Sequence, residues 1–213
     1  MIEIDMMNWN RKQHFDFFGR SDLPFYNVNL DLDITGVKEY TKSKHISLNN
    51  MLMYLVLKSM TAIDNFRYRI RAEKVVLHEM LHPVFAHIKA PDNDLFMMVA
   101  ANYNAELAAF NTAIKTTIQR QRDYFALDVM QGRDDFVFFS SLPWFSFTAI
   151  DHTLNLNKND GIPRVTWGKI KTSGHKEYLP FNIQVNHRLV DGVHIGYLLD
   201  EINVQIKAIT ING

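Results

Sequence analysis

Between Tyr178 and Ile206 the hydrophobic period of the chain switches from two to about 3.6 residues, and a histidine sits at the switch. Phe181, Ile183 and Val185 alternate with Asn182, Gln184 and Asn186, the pattern of a half-buried strand. Beyond Gly192, the residues Val193, Ile195, Leu198, Leu199, Ile202, Val204 and Ile206 recur at helical spacing. Asp191 is placed to cap the helix start and Gly192 to relieve the turn. A strand, a tight turn and an apolar-faced helix in this order require a sheet with a helix packed back onto it. They also put His187 at the strand end, on its apolar face. Taken alone, such a histidine reads as a core residue satisfied by a neighbour.

The remaining periodicity extends the same architecture. Asn10 to Phe18 reads as a helix and Tyr26 to Ile34 as a strand with Val28, Leu30, Leu32 and Ile34 on one face. Ser47 opens a helix whose residues Leu48 to Ile63 are apolar on most sides, as in a helix buried against a sheet. Short strands follow at 67–71, 75–77, 84–88 and 96–100, then a long helix over 104–124. Strands are expected at 136–150 and 164–171, separated by the polar loop 155–160. Strands interleaved with helices give an α/β fold, a two-layer sandwich of a mixed β-sheet with helices packed on it. At 213 residues and 47% hydrophobic, the chain is expected to be one domain over residues 1–213.

Charge and cysteine content exclude several functions. Lysine plus arginine equals aspartate plus glutamate, 23 against 23, with no run of one sign, so neither nucleic acid nor an anionic membrane is an expected partner. The absence of cysteine removes disulfides, thiolate metal sites and a thiol nucleophile. With no leader-like N-terminus and no membrane-length apolar run, the expected compartment is the cytoplasm.

His78-Glu79-Met80-Leu81-His82 satisfies the zinc-peptidase pattern, whose chemistry needs both imidazoles on one helical face. Pro83 biases His82 away from the helical region, and Val75, Val76, Val84 and Phe85 favour strands on either side. In an extended chain the Cβ atoms of the two histidines would sit on the order of 13 Å apart, too far for one zinc. No metal is expected.

Four segments in order carry a resemblance to a known family. They are Trp9-Asn10-Arg11-Lys12-Gln13-His14-Phe15, Leu142-Pro143-Trp144-Phe145-Ser146-Phe147, Pro163 to Lys169 with Thr166, and His187-Arg188-Leu189-Val190-Asp191-Gly192. The chain resembles the chloramphenicol acetyltransferase family of the CoA-dependent acyltransferase superfamily along nearly its whole length. The resemblance implies direct acetyl transfer from acetyl-CoA, a cosubstrate and not a permanently bound cofactor, to an acceptor hydroxyl. His187 would be the general base, accepting the acceptor's hydroxyl proton and later returning a proton to the CoA sulfur. Asp191 would pair with Arg11 and fix the turn that holds the imidazole, instead of relaying charge. Thr166 matches the threonine that holds a water near the reacting oxygen, and Phe17 and Phe18 match an aromatic pair beside the acceptor or serve the core. A homotrimer with active sites between subunits is implied, the His187 strand of one subunit facing the acceptor pocket of the next.

Three positions depart from the family pattern. The Pro-Trp segment, read as a strand, carries Ala149 where a serine donates to the oxyanion; Ser146 and Thr148 would face the other way on that strand. Arg164 replaces an apolar wall of the acceptor pocket and suits a carboxylate, phosphate or oxygen-rich acceptor, or else points to solvent or to the CoA phosphates. Asn186-His187-Arg188 is closer to the Asp-His-Arg of dihydrolipoamide acyltransferase catalytic domains, but the chain leaves no room for a lipoyl domain. Three functions stay open: chloramphenicol-type O-acetylation, acyl transfer to a different and more polar hydroxyl acceptor, and weakly catalytic CoA or ligand binding.

Overall fold

The computed structural model describes residues 1–89 and 94–211. In chain order the elements are β1 (Ile2–Glu3), α1 (Lys12–Phe18), β2 (Phe25–Asp33), α2 (Val37–Ser43), α3 (Leu48–Thr61), α4 (Asp64–Arg67), β3 (Tyr68–Arg71), β4 (Lys74–Leu77), β5 (His82–Ile88), β6 (Phe96–Ala100), α5 (Leu107–Arg120), α6 (Leu127–Met130), β7 (Phe136–Leu142), β8 (Arg164–Gly168), β9 (Lys171–Ser173), β10 (Lys176–Asn186) and α7 (Gly192–Ile211). The main sheet runs β2-β10-β8-β7-β5-β6, with β9 paired to the start of β10; β1-β4-β3 form a second, small sheet. Because β7 runs parallel to β5 and β8 while the other pairings are antiparallel, the sheet is mixed, as expected from the interleaved elements.

Helices α3 and α7 cover one sheet face. Ser47 caps α3, its hydroxyl accepting the Asn50 amide, and residues Met51 to Leu57 are all buried, which explains a helix apolar on most sides. Alongside it, α7 contributes Ile195, Leu198, Ile202 and Ile206 to the same core. Gln205 of α7 donates to the Ser59 hydroxyl at 3.0 Å and so keeps a buried polar pair satisfied. Among the described residues no helix is long and apolar enough to cross a membrane.

Several expectations need correction. The strand expected over 136–150 ends at Leu142, because Pro143 has no amide to continue the ladder. The Pro-Trp segment instead crosses the end of β8, where Lys169 N donates to Phe145 O at 2.8 Å. A Cβ on Gly168 would meet Phe145 O and the Phe147 ring at 3.1 Å, so this crossing depends on the missing side chain. The helix expected over 104–124 starts late, at Leu107, since Asn104 accepts the Glu106 amide and forms a turn before it. It ends early because the chain leaves to meet β6, Met98 N donating to Tyr124 O at 2.6 Å. The strand β10 is buried on both faces, not half-buried. Phe181, Ile183 and Val185 enter the helical core, while Asn182 and Asn186 lie under the loop between β7 and β8 and hydrogen-bond to it.

Arg69 ties the small sheet to the main one. It is 1% exposed and, among the described residues, donates only to carbonyls: Asp134 O at 2.5 Å, Phe66 O at 2.9 Å, Tyr68 O at 2.7 Å and Phe136 O at 2.7 Å. Burial pulls its guanidinium down to about 10, which still leaves it charged at neutral pH. Substituting Arg69→Met strips four buried acceptors of a donor. The expected loss is about 3 kcal/mol, or roughly 6–12 °C in Tm for a chain of this length, read from thermal unfolding. Lysine will not restore it, since one ammonium cannot reach four divergent carbonyls.

Candidate active site

The turn after β10 is built around Arg11, immediately before α1. Arg11 Nη1 and Nη2 donate to both oxygens of Asp191, at 2.5 and 2.6 Å. Nη2 also reaches His187 O at 2.9 Å, and Nε reaches Arg188 O at 2.9 Å. One 7%-exposed guanidinium therefore binds the carboxylate and two carbonyls of the same turn. Hydrogen bonding from Arg11 holds the Asp191 carboxyl below the usual carboxylate range. Because that carboxylate is spent on Arg11, it does not cap α7. His194 does the converse: its Nδ1 accepts the Asp191 amide at 2.8 Å, the N3-to-N-cap half of a capping box. Gly192 is not among the glycines with positive φ, so the turn needs no left-handed residue there.

His187 projects from this turn. Its amide donates to Pro24 O at 2.7 Å, and its ring stacks on Phe18, centroids 3.8 Å apart and planes within 11°, with Tyr26 tilted against it at 4.5 Å. Asp191 Oδ1 lies 3.0 Å from His187 Nδ1 but outside hydrogen-bond geometry, so Nδ1 is buried without a hydrogen-bond partner among the described residues. The side chain is 32% exposed, and Nε2 is the nitrogen that faces outward. Tyr26, placed at the start of β2, also points its hydroxyl at Val190 O, 3.4 Å away. Burial first, and the Asp191 charge second, push the Tyr26 phenol up to about 12. Phe17, by contrast, is 65% exposed.

Two neighbours of His187 brace the turn. Asn186 donates to Lys158 O at 2.9 Å and Asp160 O at 3.0 Å, while its Oδ1 accepts the Arg188 amide. Arg188, 2% exposed, lies 3.8 Å over the Phe15 ring and pairs with Glu73 at 2.8 Å and Asn159 at 2.5 Å. Neither contact, nor the Tyr26 ring against His187, was legible in the sequence; the adjacent Asn-His-Arg triplet was the one visible signal.

Thr166, Ala149 and Arg164 lie elsewhere. Thr166 faces Asn182 across the β8–β10 ladder, five residues before His187, so about 16 Å of strand separates the two levels. Thr166 is 1% exposed, and its hydroxyl has no hydrogen-bond partner among the described residues. Ala149 is exposed in the irregular segment after β7, beside Ile150 whose carbonyl is 3.4 Å from Asn182 Nδ2. With no strand there, the expectation that Ser146 and Thr148 face away from Ala149 loses its basis. Arg164 reaches the wall of a cavity of about 900 Å³ that is also lined by Val84, Phe96, Met98, Phe138 and His152. Its Nη2 meets Asp160 at 2.6 Å and its guanidinium lies 5.6 Å from the Phe138 ring centre, so Asp160 already compensates its charge. His187 does not line this cavity.

The zinc-like motif forms no helix. His78 lies beyond β4 and its Nε2 meets Asp134 at 2.7 Å, while His82 opens β5 and its Nδ1 accepts the Tyr103 amide at 3.0 Å. Among the described residues no three metal-ligating side chains gather.

A mixed sheet with helices on one face, an arginine-locked histidine at the end of a central strand and an apolar cavity define an acyltransferase. Solved structures share the fold: a chloramphenicol acetyltransferase at TM-score 0.88 and 24% identity, covering 97% of this chain and 100% of that one, and the Azotobacter vinelandii dihydrolipoamide acetyltransferase at TM-score 0.67 and 14% identity, covering 92% and 88%. The chain belongs to the chloramphenicol acetyltransferase family, whose family model matches residues 1–203. Curated relatives include the chloramphenicol acetyltransferase of a Klebsiella species, 28% identical over 93% of this chain and 90% of the relative, and that of Staphylococcus aureus, 25% identical over 96% and 98%.

Proposed function

We propose that this protein transfers acetyl from acetyl-CoA to a hydroxyl of chloramphenicol or a closely similar acceptor in the cytoplasm, with His187 as general base. The observation that carries this reading is the turn around Arg11: one buried guanidinium fixes Asp191 and the His187 carbonyl while Nε2 of the imidazole stays open. The field of Asp191 Oδ1, 3.0 Å from Nδ1, favours the tautomer protonated there and leaves the Nε2 lone pair for the acceptor hydroxyl. In the reaction that hydroxyl gives its proton to Nε2 as its oxygen attacks the thioester carbonyl. Collapse of the tetrahedral intermediate breaks the C–S bond, and the imidazolium returns the proton to the CoA sulfur. Thr166, with a buried hydroxyl lacking a partner among the described residues, suits a water-holding role near the reacting oxygen.

The separation of His187 from the cavity within one chain supports a homotrimer in which one subunit supplies the histidine and the next the cavity. Ultracentrifugation giving three times the 24.8 kDa chain mass would agree; a catalytically active monomer would not. The more polar acceptor of the second reading loses support, because Arg164 is already paired with Asp160.

Thiol release from acetyl-CoA, measured with and without chloramphenicol, tests the reaction. Release that requires chloramphenicol supports it, and acetyl-CoA binding without such release sinks it. Ala149→Ser restores the hydroxyl expected to donate to the oxyanion. Since losing one such donor costs about 10²–10³ in turnover, the variant is expected to gain activity of up to that order. An unchanged rate would mean another group already fills the role.

A further inference from the structure

The cavity wall contains a histidine that the reaction above does not use. His152 lies in the loop between β7 and β8, and its Nε2 is 2.7 Å from Asn182 Oδ1. The direction of that hydrogen bond is fixed by the residues behind it. Asn27 donates through Nδ2 to Asp151 at 2.7 Å, which leaves its Oδ1 as an acceptor. Asn182 spends its own Nδ2 on Asn29 Oδ1 at 3.0 Å, with Asn27 Oδ1 and Ile150 O both at 3.4 Å. Its Oδ1 must therefore accept, and His152 Nε2 must carry the proton. In a neutral imidazole the lone pair is then on Nδ1, which makes no hydrogen bond among the described residues and is not closed off from solvent. Burial lowers the basicity of this imidazole, and the Arg164 charge lowers it further.

We propose that His152 Nδ1 is a specificity-determining hydrogen-bond acceptor in the cavity, receiving an O–H or N–H of the acceptor substrate. The assignment rests on the acetyl-transfer reading for its substrate and on the asparagine ladder for its geometry. Val84, Phe96, Met98 and Phe138 offer the rest of that substrate an apolar wall, and the Arg164–Asp160 pair carries no net charge. The chemistry recognised is that of a neutral compound with an apolar or aromatic body and a hydrogen-bond donor at its edge, not an anion. His152 is a positioning group for that donor, and Asn182 positions His152 in turn.

Steady-state kinetics with chloramphenicol as the probe, on wild type, His152→Phe and Asn182→Leu, test this, together with ¹⁵N NMR of histidine-labelled protein at pH 7.5. His152→Phe keeps the ring volume and removes the acceptor atom, so KM for chloramphenicol should rise about tenfold while kcat and KM for acetyl-CoA stay within a few-fold. Asn182→Leu should move KM the same way and release the tautomer. The wild-type spectrum should show His152 with an unprotonated Nδ1 whose resonance shifts when chloramphenicol is added. An unchanged KM in His152→Phe, or a protonated Nδ1 in the wild type, overturns the assignment. A wild type that fails to acetylate chloramphenicol overturns the acceptor reading separately, and the tautomer found by NMR then decides for or against His152.

Discussion

His187→Ala is expected to lower acetyl transfer by about 10² to 10⁴ while leaving a folded protein, the range of a positioned general base. The size of the effect follows from what holds the ring. Phe18 and Tyr26 clamp its two sides, Arg11 fixes its carbonyl and Pro24 its amide, so the imidazole reaches the reaction already oriented. Stability should change little by comparison, about 1 kcal/mol for the lost ring stacking, because the side chain is a third exposed and fills no core volume. Single-turnover thiol release, compared with the urea midpoint of the same preparation, separates the two quantities. A variant that keeps wild-type turnover would remove His187 from the mechanism, and one that fails to fold would make the histidine structural.

The second large effect falls on Arg11, which touches no reacting atom. Arg11→Met leaves the Asp191 carboxylate and the carbonyls of His187 and Arg188 without their donor. Removing one partner of a buried pair costs about 3–5 kcal/mol, and turnover should fall with it because the His187 turn loses its anchor. Arg11→Lys recovers little, since a single ammonium cannot serve a carboxylate and two carbonyls at once. The pair also carries a pH signature. Asp191 has a folded-state pKa below its ordinary value of 3.8, so its contribution is full above the ordinary carboxylate range and is lost as pH falls through the depressed value. Wild type should therefore lose stability on that acid limb, and Arg11→Met should lose less there. Urea midpoints between neutral and acidic pH give the comparison; parallel curves for the two proteins would sink it.

Much of the fold was legible because its signals are local. Period-two runs gave β2 and β10, a serine before an apolar run gave α3, and the change of period at His187 gave the turn and α7. The misreadings came where distant chain intervened. A run such as 143–150 looks extended, but Pro143 ends the ladder and Phe145 is drawn across β8 instead. Asp191 looks like a helix cap, yet a charge-assisted bidentate bond to Arg11 outcompetes a single backbone amide. Family resemblance named Arg11, Asp191, Thr166, Phe18 and Arg164 and paired Asp191 with Arg11 at the His187 turn, but did not say how far Thr166 and Arg164 stand from that turn within one chain. Arg11, Asp191 and Phe18 meet at His187, whereas Thr166 and Arg164 stand back along the strand, at the levels of Asn182 and Gln184.

By itself the sequence determined the main strands and helices, the position of His187 at a strand end, and the absence of any cysteine. These follow from side-chain type and spacing within a few residues. Tertiary structure decided that Phe18 and Tyr26 enclose the His187 imidazole and that an asparagine ladder sets the tautomer of His152. Those are contacts between residues far apart in the chain, and no local period encodes which donor meets which acceptor once both faces of β10 are covered.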